Sequence, residues 1–169
     1  NGTHTDITAF VYFGCEEGLS EKYRMELPAP NATGVAAGDF RGTGKNDVAF
    51  ICHDFIRVFP NTELGITSTQ FYDINIEAAS IAAADLDGDG CFDLYVKMSN
   101  DSLCVLWGSK EGLCTDDMTI FVEDRAVKAQ RNTSTQARIP ASREWRVSTH
   151  GLFGKQTAFS VQKDSMVFW

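Results

Sequence analysis

The sequence predicts an all-β fold built from repeated strand units, and three observations support this. A dense acidic loop at residues 85–93 lies between two apolar segments. The pattern around this loop also occurs 46 positions upstream. In addition, segments that end in an aromatic residue are followed by a turn bounded by glycines. No long stretch shows helical periodicity, so each element is interpreted as a strand, a turn or a loop.

The acidic loop reads DLDGDGCFD and has the composition of a calcium site. Ca²⁺ binds about six to eight oxygen ligands, which must converge on one point. Alternating carboxylates on a tightly turning loop can supply them, and Gly90 permits a positive φ in the turn. The candidate ligands are the side chains of Asp85, Asp87, Asp89 and Asp93 and the backbone carbonyl of Cys91.

The segments on either side of the loop exclude a helix-loop-helix calcium site. Such a site requires a bidentate glutamate at the twelfth loop position, which is Val96 in this chain. Residues 94–98 (LYVKM) are rich in β-branched and aromatic side chains and predict a strand. Residues 78–84 are small and apolar, as in a tightly packed inner strand. The acidic loop therefore connects two strands.

The strand-loop-strand unit recurs. Residues 34–50 (GVAAGDFRGTGKNDVAF) align with the residues around Asp85, and Asp39 and Asp47 take the positions of Asp85 and Asp93. A turn of the type GSKEGL follows Trp107, and GCEEGL occurs at 14–19. Weaker copies are the turn at 60–66 and the segment 154–169. A set of copies in the same order indicates internal repetition.

These residues resemble the FG-GAP/VCBS repeat family, whose repeats form the blades of integrin-α-like β-propellers. The resemblance implies a β-propeller-type repeat of four-stranded antiparallel blades, with Ca²⁺ held in a loop between two strands of a blade. About three blades plus a partial one are expected. Their approximate limits are 1–19 (partial), 20–66, 67–113 and 114–169.

The upstream copy of the loop departs from the family pattern. Arg41 and Thr43 stand where carboxylates belong, so that Asp39 and Asp47 are the only acidic residues left. We expect this degenerate loop (Asp39, Thr43, Asp47) to bind no metal. The Arg41 guanidinium would take the place of the cation and pair with both aspartates. The last copy, residues 150–157, contains no acidic residue and is also expected to bind no calcium.

Composition excludes several classes of function. The formal net charge is −8, which argues against a nucleic-acid partner because such proteins present basic patches. No apolar run approaches the ~20 residues that a membrane-spanning helix needs. The three histidines lie in unrelated contexts, and no nucleophile or phosphate-binding motif is present. We therefore expect a protein that is not an enzyme.

Two features indicate an extracellular, secreted protein. Four segments match the N-x-Ser/Thr acceptor sequence for glycosylation, more than chance predicts, at Asn1, Asn31, Asn100 and Asn132. The chain also has five cysteines, which suits an oxidising compartment. Their pairing does not follow from the sequence, and a Cys104–Cys114 bridge is the first hypothesis.

The preferred interpretation is a non-catalytic, calcium-stabilised extracellular module for adhesion or for binding protein or glycan partners. A second hypothesis is a subunit of an extracellular filament, in which copies of the chain join head to tail by strand or blade complementation. A third is an accessory region of a secreted carbohydrate-active enzyme. The repeats can belong to a longer propeller, a small closed ring or a polymer. The insertion at about 120–145 predicts a long surface loop.

Overall fold

A computed structural model describes the backbone of residues 8–16, 18–122, 125–130, 146–152, 156–163 and 166–167, and the side chains of residues 8–16 and 18–121. All regular elements in this part of the chain are β-strands, fourteen in number. The predicted all-β class is thus confirmed. Within the described residues, no helix has the length and apolar character to cross a membrane.

The strands form four antiparallel sheets. The first pairs β1 (Ala9–Cys15) with β2 (Gly18–Leu27). The second has the order β3 (Gly34–Gly38), β4 (Asp47–Ile51), β5 (Ile56–Phe59) and β6 (Tyr72–Ile74). The third contains β7 (Ala78–Ala84), β8 (Asp93–Met98), β9 (Leu103–Leu106), β10 (Met118–Val122) and β11 (Arg125–Gln130). The fourth contains β12 (Arg146–Leu152), β13 (Gln156–Lys163) and β14 (Met166–Val167).

The second sheet is a four-stranded antiparallel unit of the predicted kind, whereas the third sheet has a fifth strand. Residues 125–130 form that strand, β11, beside β10. The prediction of a surface loop was therefore wrong for this segment. The polar composition of this segment gave no strand pattern. The free edge of β10 can nevertheless form backbone hydrogen bonds with any extended segment, whatever its side chains.

The stacking of the sheets explains why β4 is apolar throughout. Every residue of β4 is buried. Val48 and Phe50 join a core cluster that includes Leu27 from the first sheet. Ala49 and Ile51 point the other way, into a cluster shared with the third sheet. Successive side chains of a strand face opposite sides, so a strand with a sheet on each side must be apolar at every position.

The third sheet repeats this arrangement through β8. Leu94 and Val96 pack towards the second sheet, and Tyr95 packs with Trp107 on the opposite face. The Trp107 indole N–H donates to Thr119 Oγ1 at 2.9 Å inside the core. Because β3 lies beside β7, the loops that follow these two strands meet at one edge of the stacked sheets.

All five cysteines are free thiols in the structure. The Cys104–Cys114 bridge is therefore a wrong hypothesis. Cys104 is fully buried and packs into the core between the second and third sheets, together with Leu106 and Val96. A cysteine in this setting acts as a small apolar side chain.

Candidate functional site: two loops of one design

Two loops with the same backbone design lie at the edge of the stacked sheets where β3 and β7 end. The arginine loop, residues 39–47, connects β3 to β4, and the acidic loop, residues 85–93, connects β7 to β8. In the arginine loop, the Asp39 carboxylate accepts the backbone N–H of Thr43 at 2.8 Å and that of Gly44 at 2.5 Å. The first residue of the loop thus ties the turn together through its side chain.

The acidic loop repeats this hydrogen-bond pattern. The Asp85 carboxylate accepts the backbone N–H of Asp89 at 3.1 Å and that of Gly90 at 3.1 Å. Gly90 has φ 89° and its counterpart Gly44 has φ 81°. An L-residue rarely adopts this conformation, so glycine is needed at both positions. The two loops therefore share a backbone and differ in their side chains.

The arginine loop contains its own cation. Arg41 donates from Nε to Asp47 Oδ2 at 3.1 Å and from Nη2 to Asp47 Oδ1 at 2.8 Å. The same Nη2 donates to the Asn61 carbonyl at 2.9 Å. Asp47 is 1% exposed, and a bidentate guanidinium is a favourable partner for a buried carboxylate. The predicted pairing of Arg41 is thus seen with Asp47, whereas the Asp39 carboxylate accepts backbone N–H groups.

Three aspartates come together in the acidic loop. One carboxylate oxygen each of Asp85, Asp87 and Asp89 lies within 4.8 Å of the other two. All three side chains are partly exposed. The loop thus presents several oxygens to one point at the surface, as a hard cation such as Ca²⁺ requires.

Asp93 lies deeper than these three aspartates. Its carboxylate is 1% exposed and accepts the backbone N–H of Leu86 at 2.7 Å and that of Gly108 at 2.8 Å. Burial, and to a smaller extent the charges of Asp87 and Asp85, raise the pKa of Asp93 to about 7. A divalent cation beside these carboxylates would favour the ionised form of Asp93.

The thiol of Cys91 does not suit a metal. Burial first, and then the charge of Asp39, raise the pKa of this thiol above its ordinary value. The thiol is therefore protonated at neutral pH, and soft metals bind the thiolate. The donor set of the acidic loop thus consists of oxygens, which fits Ca²⁺ rather than Zn²⁺.

The charges of the two loops differ at the five aligned positions. In the arginine loop these positions carry two acidic and two basic residues, so their formal charge is zero: Asp39, Arg41, Thr43, Lys45 and Asp47. In the acidic loop they carry four acidic residues and no basic one: Asp85, Asp87, Asp89, Cys91 and Asp93. Like charges on one backbone repel one another, so the acidic loop fits a bound cation.

The family comparison covers both loops. Residues 39–96 match the family model of the FG-GAP-like repeat. This segment belongs to the FG-GAP-like repeat family. The matched FG-GAP-like segment begins at the first residue of the arginine loop and extends into β8, beyond the acidic loop. The resemblance inferred from the sequence is thus confirmed. No curated protein and no solved structure matches the chain.

Two of the four glycosylation candidates lie in the described part of the chain. Asn31 is exposed in a turn with φ 53°, and Asn100 is exposed in the turn before β9. Asn1 and Asn132 fall outside the described residues. Glycosylation of any of the four stays a prediction.

Sequence reasoning missed the contacts of two residues that fix the acidic loop in place, Phe92 within the loop and Gly108 beyond β9. Gly108 donates its N–H to Asp93, and Phe92 packs its ring over Gly38 of β3. The glycine that begins the GSKEGL turn was the available signal. It indicated a turn, and its contact with a loop 15 positions earlier depends on the packing of the sheet.

Proposed function

We propose that the protein is a non-catalytic, calcium-binding β-propeller-type module of an extracellular adhesion or binding protein. The observation that carries this proposal is the contrast between two loops with one backbone. One loop is neutralised by Arg41 and Lys45, and the other has four aspartates at the aligned positions. Ca²⁺ would be held by Asp85, Asp87, Asp89, Asp93 and the carbonyl of Cys91.

The role of the metal in this proposal is structural. Calcium would neutralise the acidic loop, and the chain's own residues would keep the strand connection in one conformation. A ligand that binds only the folded state stabilises it by about 2.7 kcal/mol at 100 times its dissociation constant. The acidic loop joins β7, at the edge of the third sheet, to its neighbour β8, so this stabilisation would act on the pairing of these two strands.

Exposed sequons support an extracellular setting. Asn31 and Asn100 both lie in turns, where an attached glycan would point into solvent. In this setting the propeller faces would engage protein or glycan partners, and the rigid loops would hold the binding surface in shape.

The first test replaces single ligands. The Asp87→Ala and Asp89→Ala variants are each expected to lose the calcium-dependent rise in melting temperature, because each removes a carboxylate from the cluster. Thermal unfolding measured with calcium and with a chelator reports this directly. In calorimetry, Asp39→Ala in the arginine loop should leave the stoichiometry at one bound calcium per chain, because that loop is expected to hold no metal. If calcium raised the melting temperature equally in wild type and in both variants, the proposed site in the acidic loop would be refuted.

A filament subunit is the second candidate function, and the first sheet favours it. Among the described residues that sheet has two strands, and its outward face carries Phe10 and Tyr12, which are 45% and 42% exposed. The Arg24 guanidinium lies over the Phe10 ring, 4.4 Å from its centroid. An exposed apolar sheet is a surface on which another strand or sheet can dock.

Light scattering separates the two functions. The filament predicts a mass that increases with protein concentration, and replacing Phe10 and Tyr12 by serine should suppress that increase. The binding module predicts a constant monomer mass. A monomer at all concentrations would therefore rule out the filament without affecting the calcium site.

A further inference from the structure

The arginine loop and the acidic loop contact each other directly, although they belong to different sheets. The N–H of Phe92 donates to the carbonyl of Asp39 at 2.8 Å. The N–H of Ser109 donates to the carbonyl of Phe40 at 3.1 Å. These two backbone hydrogen bonds join the second sheet to the third at the edge where the acidic loop lies.

Two glycines make this close contact possible. A Cβ on Gly38 would lie 2.7 Å from Cδ2 of the Phe92 ring. A Cβ on Gly42 would lie 3.0 Å from Cys91 Sγ and 3.4 Å from the Gly90 carbonyl oxygen. A side chain at Gly38 would require the Phe92 ring to shift, and one at Gly42 would require the opposite loop to give by a few tenths of an ångström.

The contacts converge on one segment of the acidic loop. Gly90 and Cys91 lie against Gly42, and Phe92 is held by Asp39 and Gly38. This segment contains the carbonyl of Cys91, which is the backbone ligand in the proposed calcium site. Groups that hold metal ligands in place tune the affinity of a site even though they do not touch the metal.

We propose that the arginine loop is the positioning element of the calcium site and sets its affinity through the Gly42–Cys91 and Asp39–Phe92 contacts. This inference rests on the proposed function of the acidic loop. A segment that is already ordered loses less entropy when it binds a ligand. By linkage, calcium in the acidic loop strengthens the contact between the two sheets by the same factor.

Two glycines of the arginine loop provide a matched pair of variants. Gly42 has φ 63° and Gly44 has φ 81°, so alanine is strained at both positions. A Cβ on Gly44 has no atom within 4 Å, whereas a Cβ on Gly42 would press on the acidic loop. The strain is therefore common to both variants, and the contact with Cys91 belongs to Gly42 alone.

The experiment is calcium titration by calorimetry on the whole chain. Gly42→Ala is expected to raise the dissociation constant by about tenfold, the size seen when outer partners of a metal ligand are lost. Gly44→Ala should change it by less than about twofold. In the double variant Gly42→Ala/Cys91→Ala the Sγ is removed and the backbone ligand is retained, so much of the affinity should return.

A variant that adds no clash keeps the test valid if Gly42→Ala fails to fold. The ring of Phe92 is 36% exposed, so Phe92→Ala is expected to fold and still to weaken calcium binding. Hydrogen exchange supplies a second readout. Calcium should increase the protection of the Phe92 and Ser109 amides in wild type and less so in Gly42→Ala.

The possible outcomes distinguish the coupling between the two loops from the proposed calcium site itself. A wild-type chain that binds no calcium would refute the proposed site. A wild-type chain that binds calcium, with equal dissociation constants for Gly42→Ala and Gly44→Ala and no loss in Phe92→Ala, would overturn the coupling and leave the site intact.

Discussion

Replacing Asp87 by arginine and Asp89 by threonine is expected to abolish calcium binding while the acidic loop stays folded. These are the residues that the arginine loop has at the aligned positions, on a backbone with the same hydrogen bonds. The introduced guanidinium would pair with Asp93 as Arg41 pairs with Asp47. In chelator at pH 7 or above, the double variant should exceed wild type in free energy of unfolding by on the order of 2 kcal/mol.

The pH dependence of stability without calcium provides a second measurement. The pKa of Asp93 is raised from 3.8 to about 7 in the folded protein. The folded state therefore binds the proton more tightly than the unfolded state does. In chelator, wild type should gain stability as the pH falls from about 7 towards 4. In the double variant the guanidinium would lower this pKa, so the gain should disappear or change sign.

Asp54→Arg is the control for the loop exchange, because it introduces the same residue at an exposed site on another turn. Its calcium affinity and its pH profile should both stay close to those of wild type. Calorimetry measures the calcium affinity of each variant, and urea unfolding at several pH values measures its stability. If the double variant bound calcium with the wild-type dissociation constant, the ligand assignment would be wrong.

Gly108→Ala is expected to destabilise the fold by about 3 kcal/mol or more. An added Cβ would overlap the carbonyl oxygen of Phe92 and lie 2.9 Å from the Cβ of Cys91. The obstacle is backbone, which cannot rotate away as a flexible side chain can. The N–H of Gly108 also donates to the buried carboxylate of Asp93, and a shift of the backbone at Gly108 would break that bond.

Gly14→Ala serves as the control for this variant. An added Cβ at Gly14 has no atom within 4 Å, and the residue is exposed, so its stability should change by less than about 0.5 kcal/mol. Urea unfolding in chelator measures both variants without a contribution from calcium. If Gly108→Ala unfolded at the same urea concentration as wild type, the close approach of Gly108 to the Phe92 backbone would be contradicted.

Much of the fold could be predicted because its signals are local. The strand assignment around Asp85 followed from β-branched and aromatic residues on one side of the loop and small apolar residues on the other. The shared design of the two loops followed from the alignment of Asp39 with Asp85. A repeat shows the same chemistry twice in one chain, so each copy tests the interpretation of the other.

Other features depend on neighbours that are distant in sequence. β11 was missed because backbone pairing to β10 does not require an apolar pattern, and the Cys104–Cys114 hypothesis failed because Cys104 faces the core. The sequence also predicted that Arg41 would pair with both aspartates. In the structure Arg41 pairs with Asp47, and the backbone of the loop satisfies the carboxylate of Asp39.

The sequence by itself determined the β class, the repeat and the candidate calcium ligands, because these depend on residue type and spacing along the chain. Only the tertiary structure decided that the arginine loop lies against the acidic loop, and that Gly38, Gly42 and Gly108 are small because another backbone or ring approaches them. These contacts join residues between 16 and 54 positions apart, and the hydrogen bond of Phe92 to Asp39 crosses two sheets. They exist only after the sheets have stacked, and spacing along the chain carries no signal for them.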